Sequence, residues 1–210
     1  MHRGQLLPLL GLILLAALTS YLLQNTRPLG RNVGTSPAAI QILEDQRSPR
    51  TVGSNANLTI VMFTDYQCPA CRKADPALRA AIARDGNVQV VYKDWPIFGE
   101  RSERAAKVAL GAHRQGIYPS LHHQLMKSPA LDDAALRDAV ELVGGNWQQL
   151  QADLLTHGPA IEDQLSANSR DAFALGLQGT PGYLIGPLLV EGALTERQFL
   201  RAFAQARSEG

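Results

Sequence analysis

Residues 58–71 read LTIVMFTDYQCPAC, a strand pattern that runs into the start of a helix. The first six residues are almost all apolar and rich in β-branched side chains, which is typical of a central strand covered on both faces. A helical pattern follows from Pro69, which suits a first helical position, and Asp85-Gly86 is a stop signal. The sequence therefore predicts a strand over 58–63 and a helix over 69–84, with Cys68 at the helix N-cap.

The chain contains two cysteines in 210 residues, Cys68 and Cys71. Two thiols at this spacing can close a disulfide and reopen it by exchange with the thiols of another protein. At the N-cap, the Cys68 sulfur would face unpaired backbone N–H groups and the positive end of the helix dipole, so we expect a depressed pKa. Cys71 should be more buried and less acidic. Cys68 is then the sulfur that exchanges with a partner, and Cys71 resolves the mixed disulfide.

The Cys-x-x-Cys spacing alone leaves two other interpretations open, half of a zinc site and an inert structural disulfide. A structural zinc site needs four ligands, and the chain offers no second cysteine pair and no histidine pair at zinc-finger spacing. We predict no metal site. We expect packing or surface roles for Trp147, His113 and the His122-His123 pair. The five histidines are His2, His113, His122, His123 and His157.

Three stretches together resemble the DsbA-like branch of the thioredoxin-fold oxidoreductases. They are FTDYQCPACRKADPAL (63–78), VVYKDWPIFGERSERAAKVAL (90–110) and GTPGYLIGPLLVEGALT (179–195). The resemblance covers the chain from about residue 58 to its end. It implies the fold class, an α/β thioredoxin fold with a helical domain inserted at about residues 99–178.

The same resemblance implies a second part of the site, Thr180-Pro181. Pro181 would be cis and lie beside the cysteines, and Thr180 would offer backbone groups to a bound substrate peptide. From the residues alone, an ordinary trans loop over 179–182 stays possible. The sequence departs from many relatives at Met62, where they carry a buried acid six positions before the first cysteine. We therefore assign no group to proton transfer at Cys71, and expect Asp65 to end the strand.

The remaining patterns complete the predicted domain. Further strands are expected at 88–92, 183–185 and 188–190, and a closing helix at Thr195, where Thr195 and Gln198 have capping-box spacing. Between Phe98 and Gly179 only helical patterns occur. They span Ser102–Arg114, Ser120–Lys127, Asp132–Val143, Trp147–Leu155 and Ile161–Leu175.

The first 57 residues differ in composition from the rest of the chain. Residues 1–23 include an apolar run that is typical of a signal or transmembrane anchor, and without a clear cleavage site we favour an uncleaved anchor. Residues 24–57 are polar and predict a tether with a short helix near 38–44. The domain then occupies 58–210, outside the cytoplasm.

These patterns favour a protein thiol–disulfide oxidoreductase, most simply a dithiol oxidase of secreted or envelope proteins in the periplasm, recycled by a membrane redox partner. No bound cofactor is expected, since the chemistry is sulfur exchange. A net charge of +1 gives no reason to expect nucleic-acid binding. The alternatives are a disulfide isomerase or reductase, a copper-binding dithiol protein and an inactive interaction module.

Overall fold

The computed structural model describes residues 11–13, 15–17, 19, 28–51 and 56–210. The expected anchor or signal, residues 1–23, lies mostly outside the described residues, as does the start of the expected tether. Within the described ranges, no helix is long and apolar enough to cross a membrane.

Five strands form one mixed sheet in the order β1-β5-β4-β2-β3. Strands β2 and β3 are parallel, and β4 pairs antiparallel with β2, β5 with β4, and β1 with β5. The parallel pair needs a crossover helix, and the helix after β2 provides it. The strands are β1 (Arg31–Asn32), β2 (Leu58–Thr64), β3 (Val88–Asp94), β4 (Gly182–Ile185) and β5 (Leu188–Glu191).

Seven helices with assigned bounds surround this sheet. Four of them, α3 to α6, lie between β3 and β4, where the sequence predicts the helical insertion. The helices are α1 (Pro37–Leu43), α2 (Pro69–Asp85), α3 (Glu100–His113), α4 (Tyr118–Lys127), α5 (Asp133–Leu142), α6 (Trp147–Ala174) and α7 (Glu196–Glu209).

The side chains of β2 alternate between two hydrophobic clusters, one on each face of the sheet. Ile60 and Met62 belong to a large cluster with α2, α7 and the inserted helices. Val61 and Phe63 belong to a smaller cluster with α1 and the end of α6. The sheet is thus covered by helices on both faces, as the apolar run over 58–63 predicts. The architecture is a thioredoxin-like α/β fold.

The described part of the expected tether, residues 28–51 and 56–57, belongs to the folded unit. Val33, Ala39 and Ile42 are buried in the smaller cluster, and Arg50 forms a β-bridge with Val91. The predicted short helix is present as α1. The tether assignment is therefore wrong for this part. A few apolar residues among many polar ones are enough to cover a sheet face that would otherwise be exposed.

Residues 147–174 form one helix, whereas the sequence predicts two, Trp147–Leu155 and Ile161–Leu175, with a break over residues 156–160. Pro159 lies inside α6. A proline in a helix removes one N–H donor, in this case the donor to the Leu155 carbonyl. Leu155 is exposed, so that carbonyl can be solvated. Before the break Leu154 packs against Gly111 of α3, and after it Asn168 donates to the Asp94 carbonyl of β3, so both halves are anchored to the domain.

A buried lysine fixes the N-terminal segment to the sheet. The ammonium of Lys93, on β3, lies 2.6 Å from an Asp45 carboxylate oxygen and 2.8 Å from an Asp171 oxygen. Burial acts to raise the pKa of Asp45, but Lys93 and further hydrogen bonds outweigh it, so the pKa is lowered. The ion pairs therefore join the segment after α1, the central sheet and α6.

Candidate active site

The two cysteines lie at the N-terminus of α2, as predicted. Cys68 is the N-cap, in an extended conformation, and Pro69 takes the first helical position. The backbone N–H of Cys71 donates to the Cys68 sulfur at 3.3 Å. This bond satisfies one of the N–H groups that a helix start leaves unpaired, and it places that donor against the sulfur where thiolate charge would develop.

The Thr180–Pro181 peptide bond is cis, which confirms the expectation from the resemblance. The loop that contains it lies against the cysteines, and the Cys68 thiol donates to the Thr180 carbonyl oxygen at 3.2 Å. Pro181 is buried, and its carbonyl accepts a hydrogen bond from the Gly192 N–H at 2.8 Å. This bond joins the residues just before β4 and just after β5, at the open end of the hairpin.

The surroundings of the two thiols drive their pKa values apart. The pKa of Cys68 is lowered to about 6, and a hydrogen bond with the Cys71 side chain is the largest cause. Burial opposes this shift. The Thr180 side chain and the backbone N–H groups of Cys71 and Ala70 lower the pKa further. Burial raises the pKa of Cys71 well above its ordinary value, and the Cys68 sulfur adds to this. The dithiol therefore ionises at Cys68.

Both thiols are almost inaccessible to solvent, with an exposed fraction of 2 % for Cys68 and 3 % for Cys71. Cys71 nevertheless lies deeper in the protein, as expected. Burial is the main cause of the raised pKa of Cys71, whereas at Cys68 hydrogen bonds outweigh it. The thiols therefore differ in depth, in hydrogen bonds and in pKa.

Asp65 ends β2, as expected, and it also braces the loop that leads to Cys68. Its carboxylate accepts hydrogen bonds from four groups on two chain segments. The donors are Gln67 N at 2.7 Å, Ile97 N at 2.7 Å, Phe98 N at 3.1 Å and Ser102 Oγ at 2.6 Å. The carboxylate is thus held by these donors, and it ties the cysteine loop to the loop after β3.

Beneath the start of α2, buried polar groups form a chain from β3 to helix α4. Tyr118 donates to Asp94 at 2.8 Å, its hydroxyl lies 3.4 Å from that of Tyr66, and Tyr66 lies 3.2 Å from Nδ1 of His122. Burial raises the pKa of Asp94 to about 7, although the two tyrosines act to lower it. Burial lowers the pKa of His122, so its imidazole is neutral at neutral pH.

The position of the missing family acid is occupied by a buried apolar side chain. Met62 is 3 % exposed and packs in the large cluster. A second buried acid, which no sequence pattern indicates, is Asp75 on α2. Burial would raise the pKa of Asp75, but His122 and His123 hold it below its usual range. Sequence spacing could not reveal this contact, because Asp75 and the histidines lie on different helices.

A mixed sheet between helices, with two thiols at the start of a helix and a cis-proline loop against them, defines the thioredoxin-like thiol–disulfide oxidoreductases. The family model of the DSBA-like thioredoxin domain matches residues 59–204. The chain belongs to this family.

Solved structures support the assignment. A thioredoxin-like oxidoreductase from Silicibacter pomeroyi superimposes with a TM-score of 0.74 at 32 % identity, covering 80 % of this chain and 96 % of that one. A periplasmic thioredoxin-like protein from Salmonella enterica serovar Typhimurium gives 0.69 at 26 % identity, covering 82 % and 97 %.

Curated relatives include a probable disulfide bond formation protein D from Bacillus cereus. It is 26 % identical over 145 residues, which cover 62 % of this chain and 66 % of the relative. The chain also matches Na(+)/H(+) antiporters, among them one from Mycolicibacterium vanbaalenii at 24 % identity over 159 residues. That match covers 73 % of this chain but only 25 % of the length of the antiporter.

Proposed function

We propose that the chain exchanges disulfides with cysteine-containing proteins through Cys68 and Cys71. The observation that carries the proposal is the Cys68 sulfur at the N-cap of α2, where its pKa is lowered to about 6 while the pKa of Cys71 is raised. At neutral pH the first thiol is then ionised and the second keeps its proton. Such a pair has one sulfur suited to exchange and one suited to resolution.

The exchange runs in two steps that move two electrons. A substrate thiolate attacks the Cys68 sulfur of the Cys68–Cys71 disulfide, the bond between the cysteines breaks, and Cys71 leaves and takes up a proton. A second substrate thiolate then attacks the substrate sulfur of the mixed disulfide and expels Cys68 as a thiolate. The substrate gains a disulfide, and the protein is left as a dithiol.

The low pKa of Cys68 favours oxidation of the substrate over its reduction. A stabilised Cys68 thiolate is a good leaving group in the second step, and it lowers the free energy of the dithiol form relative to the disulfide. Both effects make the disulfide form more oxidising. We therefore propose a dithiol oxidase, with isomerase and reductase activity as the alternatives that the experiment below separates.

Substrate contacts are proposed at the cis-proline loop and beside the cysteine loop. Thr180 and Pro181 border the Cys68 sulfur, and the backbone of Thr180 would pair with an extended substrate segment. On the cysteine loop, Gln67 donates to the Phe98 carbonyl at 3.1 Å, and residues Ile97 and Phe98 are 44 % and 50 % exposed. These apolar side chains would contact apolar residues that flank a substrate cysteine.

We also propose that the protein works outside the cytoplasm, on secreted or envelope proteins. The support is an apolar N-terminal segment within residues 1–23, which would serve as a signal or a membrane anchor, together with the periplasmic location of the Salmonella relative. In such a compartment the disulfide form persists, and a membrane redox partner would take the two electrons from the dithiol after each turnover.

A trapping experiment tests the exchange. In Cys71→Ala the resolving thiol is gone, so mixed disulfides with substrates should accumulate at Cys68 and be recovered by affinity purification and mass spectrometry. Cys68→Ala is the matched control, because it keeps one thiol on the same helix and should trap nothing above background. Equal trapping by the two variants would contradict the proposal.

The direction of exchange is tested by the reduction potential. An oxidase should equilibrate with glutathione well above the potential of about −270 mV that is typical of thioredoxin, and it should oxidise a reduced, unfolded polypeptide at stoichiometric amounts. A potential close to that of thioredoxin would favour a reductase. Repair of a scrambled disulfide set, without net oxidation, would favour an isomerase.

A further inference from the structure

Three potential metal ligands meet between helices α2 and α4, apart from the thiols. Asp75 comes from α2, and His122 and His123 come from α4. The ligand atoms of these three side chains all lie within 4.8 Å of one another. Nδ1 of His123 is 2.9 Å from Oδ1 of Asp75, and Nε2 of His122 is 3.6 Å from the same oxygen. Two imidazoles and one carboxylate form a donor set that suits zinc and related divalent ions.

The hydrogen-bond chain behind His122 determines which of its nitrogens carries the proton. Tyr118 has one hydroxyl hydrogen, and it donates this to Asp94. The contact between Tyr66 and Tyr118 is then a hydrogen bond only if Tyr66 is the donor. Tyr66 has then used its own hydroxyl hydrogen, so its contact with His122 is a hydrogen bond only if Nδ1–H of His122 is the donor. All three contacts are therefore hydrogen bonds when Nδ1 of His122 carries the proton.

This tautomer leaves a lone pair on Nε2 of His122, and that atom faces the cluster. His122 is fully buried, and among the residues that the structure describes its Nε2 has no hydrogen-bond partner. An Asp75 carboxylate oxygen lies 3.6 Å from Nε2, beyond hydrogen-bond distance, and in this tautomer both atoms are acceptors that a cation between them would satisfy. A buried polar atom without a partner costs free energy, and a metal ion would satisfy it.

Two of the three separations between ligand atoms are close to those around one ion, one of them now a hydrogen bond between His123 and Asp75, and the third is at most 4.8 Å. Zinc–nitrogen bonds of about 2.0–2.1 Å put neighbouring ligands of a tetrahedral site roughly 3.3 Å apart. The two observed separations from Asp75, 2.9 and 3.6 Å, lie on either side of that value. Tyr66 would then be the outer-shell partner that orients a metal-bound imidazole through its other nitrogen, a common feature of histidine sites.

The cluster also has a route to solvent. The side chain of His123 is 27 % exposed. Asp75 and His123 line a pocket of about 230 Å³, together with Arg79, Met62 and other residues. An ion could enter from this pocket, and the pocket side leaves a fourth coordination position for water or another small ligand.

We propose that Asp75, His122 and His123 bind a divalent transition-metal ion, with zinc as the probe, at a site that does not include Cys68 or Cys71. The site goes beyond the proposed disulfide exchange and does not depend on it. It also departs from the expectation that the two histidines are packing residues, because the third ligand reaches them from another helix.

Isothermal titration with Zn²⁺ tests the site in the full chain carrying Cys68→Ser and Cys71→Ser, so that the thiols cannot bind the metal. We expect one ion per chain. His123→Ala removes a partly exposed ligand and should weaken binding at least tenfold. His157→Ala is the matched control, since His157 is half-buried on α6 and outside the cluster. It should bind like the parent.

Two further measurements keep the proposal falsifiable if a variant is unstable. Tyr66→Phe keeps the ring but removes the outer-shell hydroxyl, so affinity should fall by about 10–100-fold. Co²⁺ in place of Zn²⁺ should give visible absorption bands that Asp75→Asn changes. The proposal is overturned if the parent binds no Zn²⁺, if His123→Ala binds as tightly as the parent, or if His157→Ala is the variant that loses binding.

Discussion

The sulfur of Cys68 lies 3.2 Å from the carbonyl oxygen of Thr180, across the gap between the start of α2 and the loop before β4. In the dithiol this oxygen accepts the thiol proton. On ionisation the sulfur keeps the backbone N–H of Cys71 as a donor, at 3.3 Å. Both protonation states of Cys68 therefore have a hydrogen-bond partner. The sulfur lies where a substrate bound along the Thr180 backbone would meet it.

The Cys68 thiolate depends on the neighbouring Cys71 side chain, which makes the largest contribution to its lowered pKa. Thiolate absorbance in the ultraviolet should rise in the wild type through a transition near pH 6. In Cys71→Ala the transition should move upward, toward the value of about 8.5 for an ordinary cysteine. Cys68→Ser should lack the low transition. An unchanged transition in Cys71→Ala would contradict the assigned cause.

Asp65→Asn should loosen the loop before Cys68. The amide offers one acceptor oxygen in place of two, and its NH₂ faces N–H donors. With four hydrogen bonds affected, we expect a loss of about 1–3 kcal/mol in the free energy of unfolding, measured by urea denaturation. Asp132→Asn is the control, because asparagine caps a helix as well as aspartate does, and it should be nearly neutral. Equal losses in the free energy of unfolding of the two variants would contradict the proposed role of Asp65 in holding the loop.

Lys93→Met should destabilise the protein strongly. The substitution leaves the Asp45 carboxylate, 6 % exposed, without its ammonium partner. Breaking one side of a buried ion pair costs about 3–5 kcal/mol. Lys107→Met removes an ion pair with Glu162 at the surface, where the cost is about 1 kcal/mol or less. Similar losses in the two variants would show that the N-terminal segment does not depend on Lys93.

Asp94→Asn should change how stability depends on pH. The pKa of Asp94 is about 7 in the folded protein and about 3.9 in an unfolded chain. Between these values the folded state binds more protons, so Asp94 makes the wild type less stable as pH rises from about 4 to 7. The asparagine variant lacks this loss, so its stability relative to the wild type should grow over that range, by at most about 4 kcal/mol.

The measurement for Asp94 is the free energy of urea unfolding of the two proteins at several pH values. Taking the difference between them removes the contribution of other groups, including Asp45 and Asp75, whose pKa values shift in the opposite direction. Parallel curves across pH 4 to 7 would contradict a raised pKa for Asp94.

Features set by local signals were predictable from the sequence. The strand of 58–63, the N-cap at Cys68 and the capping box of Thr195 and Gln198 are all present, because each depends on neighbours within a few residues. The cis bond at Pro181 followed from the family resemblance and not from composition.

Features set by tertiary packing were not predictable. The segment around Val33 and Ile42 has the composition of a tether, yet its apolar side chains pack against one face of the sheet. Nothing in the sequence of the segment indicates that it packs there. Asp75 meets His123 across 48 residues of sequence, through the packing of α2 against α4. Asp65 likewise acquires three of its four donors from a distant segment, residues 97–102.

Disulfide exchange at Cys68 is tested most directly by identifying the sulfur that carries the mixed disulfide. Oxidised wild-type protein is mixed with a reduced peptide containing two cysteines, quenched with acid at short times and mapped by mass spectrometry. We predict a transient peptide adduct on Cys68, followed by an oxidised peptide and a reduced protein in equal amounts. An adduct on Cys71, or a peptide that stays reduced, would show that Cys68 is not the exchanging sulfur.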